Sequence, residues 1–193
     1  KWKTKKIDKL CKLVRGSSPR PQGDPRYYGG NVPRLMISDI TRDGKRVIPK
    51  VDFLTEEGAK LSRPVKKGTI VMTVSGDVGV TAILNVNACV HDGFVAFNEL
   101  NEQEVDVEFF ETLLSLMKST HASRKVGAIF KNLTTDQIKN IEVPLPPIEL
   151  QNKFASIVKE IESMKEQQKH SKEQIDKFFN VLMQKAFKGE LVL

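Results

Sequence analysis

Four short runs in this chain of 193 residues carry side chains that could do chemistry. Cys89-Val90-His91-Asp92 offers a thiol, an imidazole and a carboxylate, the donor types of a metal site. Zinc needs three or four ligands at paired spacing, and the remaining Cys11, His121 and His170 are scattered. His91 therefore reads as a strand-end residue and Cys89 as a small apolar side chain. Ser75-Gly76-Asp77-Val78-Gly79 has the glycines of a phosphate loop without its Gly-Lys-Ser/Thr ending, so a hairpin or simple loop fits better. Asp106-Val107-Glu108 could hold magnesium, but the usual nuclease partner, a Glu-x-Lys triplet, occurs nowhere. Those acids suit the opening turn of a helix, where negative charge favours the dipole. Asn31-Val32-Pro33-Arg34 lacks the second proline and the aromatic of the motif that holds a flipped base for methyl transfer, and there is no Gly-rich cofactor loop. The expectation is a protein with no catalytic residues, no metal and no cofactor, hence not an enzyme.

Binding chemistry is better supplied. The formal charge is +7, and it is unevenly placed. Residues 1–50 hold 14 Lys+Arg against 4 Asp+Glu, residues 51–148 hold 9 against 13, and residues 149–193 hold 8 against 7. A basic segment beside an acidic one suits a surface turned toward a polyanion, because neutralising phosphates releases counterions. The bland alternative is a solvated lysine-rich end. Arginine, amide and hydroxyl side chains between residues 15 and 46 favour the first reading, since they can address base edges as well as phosphates. The candidate DNA contacts are Arg15, Ser17, Arg20, Gln22, Arg26 and Tyr27 in a Pro/Gly-rich loop, then Arg42, Lys45 and Arg46. Ser75, Asp77, Arg124 and Lys125 are further candidates. Each arginine has a plain surface role as its alternative, and Tyr27 with Tyr28 could equally pack a loop.

The elements that would position these residues form a mixed α/β (α+β) domain over residues 1–148. Leu35–Ile40, Thr69–Val74, Val80–Leu84 and Gly93–Phe97 read as strands. Turn residues separate them, as in Arg42-Asp43-Gly44-Lys45 and Lys66-Lys67-Gly68. Asp106–Lys118 and Thr135–Asn140 read as helices, with Leu54–Leu61 a third candidate.

Residues 149–193 have another character. Val143-Pro144-Leu145-Pro146-Pro147-Ile148 reads as an extended connector at a helix start. From Glu149 to Phe187 there is no Pro or Gly, and Gly189 is a stop signal. Such a helix would be roughly 58 Å long at 1.5 Å per residue. It carries heptads: Phe154, Ile161, Gln168, Ile175 and Leu182 in one series, Ile157, Met164, Ser171, Phe178 and Lys185 in the other. A seam of this length implies a partner helix, with a helix lying across its own domain as the alternative. Gln168 either fixes register inside that seam or faces water.

The chain resembles the DNA specificity (S) subunits of type I restriction–modification systems. The resemblance rests on Trp2, Leu10…Val14-Arg15-Gly16-Ser17-Ser18-Pro19, Tyr28-Gly29-Gly30 and Pro33…Ile37-Ser38-Asp39-Ile40. It continues through Val65-Lys66-Lys67-Gly68-Thr69-Ile70-Val71, the 75–79 loop, His91-Asp92-Gly93-Phe94, the 141–151 junction and the Ala186-Phe187-Lys188-Gly189-Glu190-Leu191 ending. Arg34 departs from the family, which usually carries Trp there. The resemblance implies a target recognition domain followed by a long C-terminal helix in an antiparallel coiled coil. It implies double-stranded DNA and the methyltransferase (M) and restriction (R) subunits as partners. A complete S subunit holds two such units, so this chain is expected to be a half-subunit, either naturally short or half of a longer one. The half would pair with a second copy through Phe154, Ile157, Ile161, Met164, Gln168, Ile175, Phe178 and Leu182, and the homodimer would read a bipartite, palindromic site. With no long apolar run and no signal-like start, the expectation is a cytoplasmic protein without a membrane segment. The rival reading is a non-enzymatic coiled-coil scaffold without sequence-specific DNA binding.

Overall fold

Strands Ile70–Thr73, Thr81–Leu84 and Phe94–Asn98 are almost unbroken runs of buried residues rather than alternations of buried and exposed ones. A strand reads this way when both faces of its sheet are covered, and the computed structural model, which describes residues 2–122 and 134–190, has that arrangement. The elements run β1 (Lys3–Lys6), β2 (Lys12–Arg15), β3 (Tyr28–Leu35), α1 (Ile37–Asp43), β4 (Arg46–Val47), β5 (Asp52–Leu54), α2 (Glu56–Leu61) and β6 (Arg63–Val65). Next come β7 (Ile70–Thr73), β8 (Thr81–Leu84), β9 (Ala88–Val90), β10 (Phe94–Asn98), α3 (Val107–Ala122), α4 (Thr135–Lys139), β11 (Glu142–Leu145) and α5 (Ile148–Phe187). This is the mixed α/β order with a long C-terminal helix expected from the sequence.

A five-stranded sheet, β2-β10-β7-β8-β4, sits beside a four-stranded one, β5-β3-β9-β6, and both are mixed. Most neighbours are antiparallel, but β4 runs parallel to β8 and β3 to β9. Successive residues of the central strands feed two cores. Ile70, Met72, Ile83, Val95 and Phe97 join Ile7, Leu10, Phe110, Leu114 and Ile138. Val71, Ala82, Leu84, Phe94 and Ala96 join Leu35, Val47, Val65 and Val90. The first core is closed by α3, whose Phe110 ring meets Phe97 edge-to-face at 5.8 Å.

The proline-rich connector is itself a strand. β11 pairs antiparallel with β1, placing Pro144 opposite Thr4, and the Ile7 amide donates to Ile141 O at 3.0 Å. Gln151, fully buried, ties the start of α5 to this region: its amide nitrogen donates to Pro146 O and Glu104 O, and its Oε1 accepts from the Asp106 amide at 3.0 Å.

One sequence expectation fails. Leu35–Ile40 is not a strand: β3 ends at Leu35 and α1 begins at Ile37. Asp39 decides this, because its buried carboxylate accepts from the Met36 amide at 3.0 Å and the Lys50 amide at 2.9 Å. The first contact satisfies the amide at the start of α1, and the second ties the segment between β4 and β5 to it. The expected Arg42–Lys45 turn is the C-terminal end of α1, capped by Gly44 at φ 75°. Leu54–Leu61 divides into the end of β5 and α2, with the Thr55 hydroxyl oxygen accepting from the Gly58 amide at 3.0 Å. β3 escapes prediction because its register on β5 shifts between Tyr28 and Val32, a bulge in which Gly29 takes φ 83°.

The chain divides into two units, residues 1–151 and 152–193. In the second, α5 continues without a break to Phe187. Its 40 residues span about 60 Å. Ile157, Ile161, Met164, Ile175 and Phe178 are all exposed, Phe178 at 64%. No described helix is long and apolar enough to cross a membrane.

Candidate nucleic-acid interface

The segment after β2 crosses the turn between β9 and β10. The Gly16 amide donates to Phe94 O at 2.9 Å and the Ser17 amide to Val90 O at 3.0 Å. A Cβ on Gly16 would lie 2.0 Å from His91 O, so only glycine allows this approach. The two segments then share polar contacts. Arg15 Nε donates to the Asp92 carbonyl at 3.2 Å, and the Ser18 hydroxyl donates to Asp92 Oδ1 at 2.6 Å. Arg20 Nη2 lies 3.9 Å from Asp92 Oδ2. The Ser75 loop closes the other side: the Val74 amide donates to Gly93 O at 2.8 Å, and a Cβ on Gly93 would lie 2.7 Å from Ser75 Oγ. Arg15, Ser17, Arg20 and Ser75 are thus brought together around the 91–93 turn, with Arg15, Arg20 and Ser75 reaching the surface.

Behind this rim lies a buried guanidinium. Arg34 pairs with Asp52, donates from Nη2 to Ser18 Oγ at 3.0 Å, and has its guanidinium carbon 5.4 Å from the centre of the Tyr28 ring. The Tyr28 hydroxyl donates to Pro19 O at 2.9 Å. Arg34 is 5% exposed, so its charge is held by partners rather than by water. A continuous relay results, from Arg34 through Ser18 to Asp92. Asp92 is held below the ordinary carboxylate range, first by the Ser18 hydrogen bond. His91 is pushed down by burial and then by the Arg34 charge, and its Nδ1 accepts from the Gly93 amide at 3.0 Å.

Gln22 and Arg26 lie farther along the same loop and are exposed. Arg26 clamps Asp24 at 2.7 Å and lies 5.2 Å from the centre of the half-buried Tyr27 ring. That pairing, through the hydrogen bond first, raises the Arg26 pKa and lowers that of Asp24. Thr55 fastens the loop by donating to Arg26 O at 2.6 Å.

The other described candidates beyond this rim have intramolecular partners. Arg42 binds the Asp39 and Asp43 carboxylates and donates to Ile48 O at 2.8 Å. Lys45 lies 2.9 Å from Glu108 Oε2 and 3.4 Å from Glu111 Oε2, and Arg46 pairs with Glu108. These two cations offset the buried carboxylates of α3 rather than joining the 91–93 rim. Asp77 pairs with Lys118 at 2.7 Å. Arg124 and Lys125 lie outside the described residues.

Cys89 is fully buried in β9 and His91 comes directly after that strand's last residue. Among the described residues no group of three or more His, Cys, Asp or Glu is placed to hold a metal ion. Sequence reasoning missed Ser18, Arg34 and Asp92 as members of this site. Asp92 was visible only as a metal-type donor, because its partners are 74 and 72 residues away in the chain.

Residues 1–177 match the family model described as the type I restriction modification DNA specificity domain. A chain from Methanocaldococcus jannaschii, named as the putative MjaX specificity subunit of a type I restriction enzyme, is 28% identical over 184 residues. The match takes in 95% of this chain and 41% of that relative. The MjaIX specificity subunit of the same organism is 25% identical over 181 residues, again with 41% of its length covered. This chain thus spans about two-fifths of these curated relatives. The crystal structure of the HsdS subunit from Thermoanaerobacter tengcongensis shares the fold, with a TM-score of 0.66 at 18% identity, covering 98% of this chain and 46% of that one. The glycine-dependent crossing, the proline strand and the long helix as far as residue 177 fall inside a family match that leaves only the final 16 residues uncovered, so the chain belongs to the type I restriction modification DNA specificity domain family.

Proposed function

We propose that residues 1–148 are a target recognition domain that reads duplex DNA for a type I restriction–modification system, and that residues 149–193 are its dimerisation, spacer and docking element. One observation carries the reading of the site: the fold brings Ser75 from a distant part of the chain to the turn that the Arg15–Arg20 segment crosses, and Arg15, Arg20 and Ser75 are exposed there, while the half-buried Ser17 donates its hydroxyl to Leu61 O at 3.2 Å. Gln22, Arg26 and Tyr27 extend this surface along the same loop. Arg42, Lys45, Arg46, Asp77, Arg124 and Lys125 are its outer candidates. Contacts of this type to phosphates give affinity, and contacts to base edges give sequence preference.

The exposed apolar series on α5 supports pairing with a second helix. Phe154, Ile157, Ile161, Met164, Ile175, Phe178 and Leu182 would form the seam with Gln168 at its centre. Antiparallel pairing with a second copy places the two recognition domains at opposite ends of the rod and gives a bipartite, palindromic target whose spacing is set by helix length. The methyltransferase and restriction subunits would dock on this assembly, where it directs their chemistry, and the working compartment would be the cytoplasm.

Affinity for random duplex should fall steeply with salt, and light scattering at tens of micromolar should give a dimer. Co-expression with a type I methyltransferase subunit should create a new pattern of adenine methylation. An unchanged pattern overturns the specificity role, and a monomer overturns the dimer.

A further inference from the structure

Asp92 is out of place on a surface meant for DNA. Its side chain is 54% exposed, and it accepts the Ser18 hydroxyl, which favours its charged form. A carboxylate there repels phosphates, so a surface evolved only to grip the backbone gains nothing from it. Nor is it used up within the fold. Oδ1 takes the Ser18 hydroxyl, but Oδ2 accepts no hydrogen bond from another described residue, and Arg20 at 3.9 Å is beyond hydrogen-bonding reach. Arg15 holds the Asp92 main chain, and Arg34 behind Ser18 orients the hydroxyl that holds Oδ1. The carboxylate is therefore fixed from behind and open in front, flanked by an extended arginine that is 69% exposed.

Resting on the DNA-recognition reading, the geometry points to Asp92 as a base-reading residue that accepts a hydrogen bond through Oδ2 from an exocyclic amino group, cytosine N4 or adenine N6, in the major groove. Those amino groups are the donors duplex DNA offers to a carboxylate, and an acceptor locked in one direction reads them without first losing rotamer freedom. Arg20 alongside has the complementary donors, suited to the acceptor edge of a neighbouring guanine. The Asp92 charge also acts against wrong sequences. Where no amino group meets it, a desolvated carboxylate faces carbonyl oxygens or phosphates, so discrimination comes from rejection as much as from attraction.

The test is selection of the 193-residue chain on a duplex pool with a randomised core, comparing wild type, Asp92→Asn and Ser18→Ala. Wild type is expected to enrich a motif with a strong preference, at one position, for one orientation of the base pair, the one that puts its single major-groove amino group, cytosine N4 or adenine N6, on the strand facing Asp92. Asp92→Asn keeps the shape and an acceptor for Ser18 while removing the charge. It should lose about tenfold or more of the discrimination at that position alone, and its affinity for random duplex should rise a few-fold. Ser18→Ala keeps the charge but frees the carboxylate, so discrimination at the same position should weaken with no gain on random duplex. Should Asp92→Asn not fold, Ser18→Ala alone decides the matter. An unchanged motif in the variants, or a loss spread evenly over all positions, overturns the role of Asp92 and leaves the DNA reading standing. A wild-type chain that enriches no motif overturns that reading and this inference together.

Discussion

Gly58, inside α2, lies so close to the Tyr27 carbonyl that a Cβ added to it would sit 2.1 Å from that oxygen. The close approach fastens the end of the arginine-bearing loop to α2, together with the Thr55 amide, which donates to Tyr27 O at 3.0 Å. Gly58→Ala would ordinarily stabilise a helix by roughly 0.5–1 kcal/mol. Here it should destabilise by about 1–3 kcal/mol, because backbone on both sides must move. Urea denaturation measures this, and a stabilised variant would show that the loop is not seated on α2.

His91 gives the domain a pH dependence of known sign. Its folded pKa lies below the usual value of about 6.5, through burial and Arg34, with Asp92 and Asp52 opposing. The unfolded chain therefore takes up the proton first, and the stability tied to neutral His91 is complete above about pH 7 and lost as pH falls through about 6.5. His91→Gln should flatten this slope in denaturation midpoints measured from about pH 8 down to about pH 5.5. Parallel curves for the two proteins would remove His91 as the cause.

Arg20 and Arg42 should part company on substitution by alanine. Arg20→Ala should weaken specific DNA binding by about 1–3 kcal/mol if it reads guanine, with little change in stability. An equal loss on every sequence marks it as a phosphate contact instead. Arg42, engaged by Asp39, Asp43 and Ile48 O, should mainly cost stability when removed. Paired binding and denaturation measurements separate the two, and identical behaviour would mean that the ion pairs of Arg42 open readily to DNA.

If α5 pairs with a second copy, Gln168 sits at the polar centre of the seam. Gln168→Leu should tighten the dimer by about 1–3 kcal/mol from apolar burial, while admitting slipped registers. Sedimentation equilibrium reads the first effect. An unchanged dissociation constant places Gln168 in water.

Neither thiol should react in the folded chain. Burial pushes Cys11 up to about 12 and raises Cys89 as well, so at about pH 8 both stay protonated and covered. Iodoacetamide should modify both only after unfolding, as mass spectrometry would show. Rapid labelling of Cys89 in the native protein would mean that β9 opens.

Some of this protein was decided by local sequence. An unbroken stretch from Glu149 to Phe187 without Pro or Gly can hardly be anything but a helix, since backbone hydrogen bonding three to four residues apart needs no distant partner. Continuous apolar runs such as Ile70-Val71-Met72 announced strands. Tertiary structure decided the rest. Asp39 ends β3 by capping α1, a choice that Leu35-Met36-Ile37 alone does not make. Lys45 and Arg46 look like their fellow cations in the sequence, yet they meet the buried carboxylates of α3 some 60 residues later, while Arg20 is left extended. Asp92 gains its setting from Ser18 and Arg34 across the crossing at Gly16. Helical order is a short-range property that residue types carry with them, whereas the free valences of a charged side chain depend on which distant charges the fold sets against it.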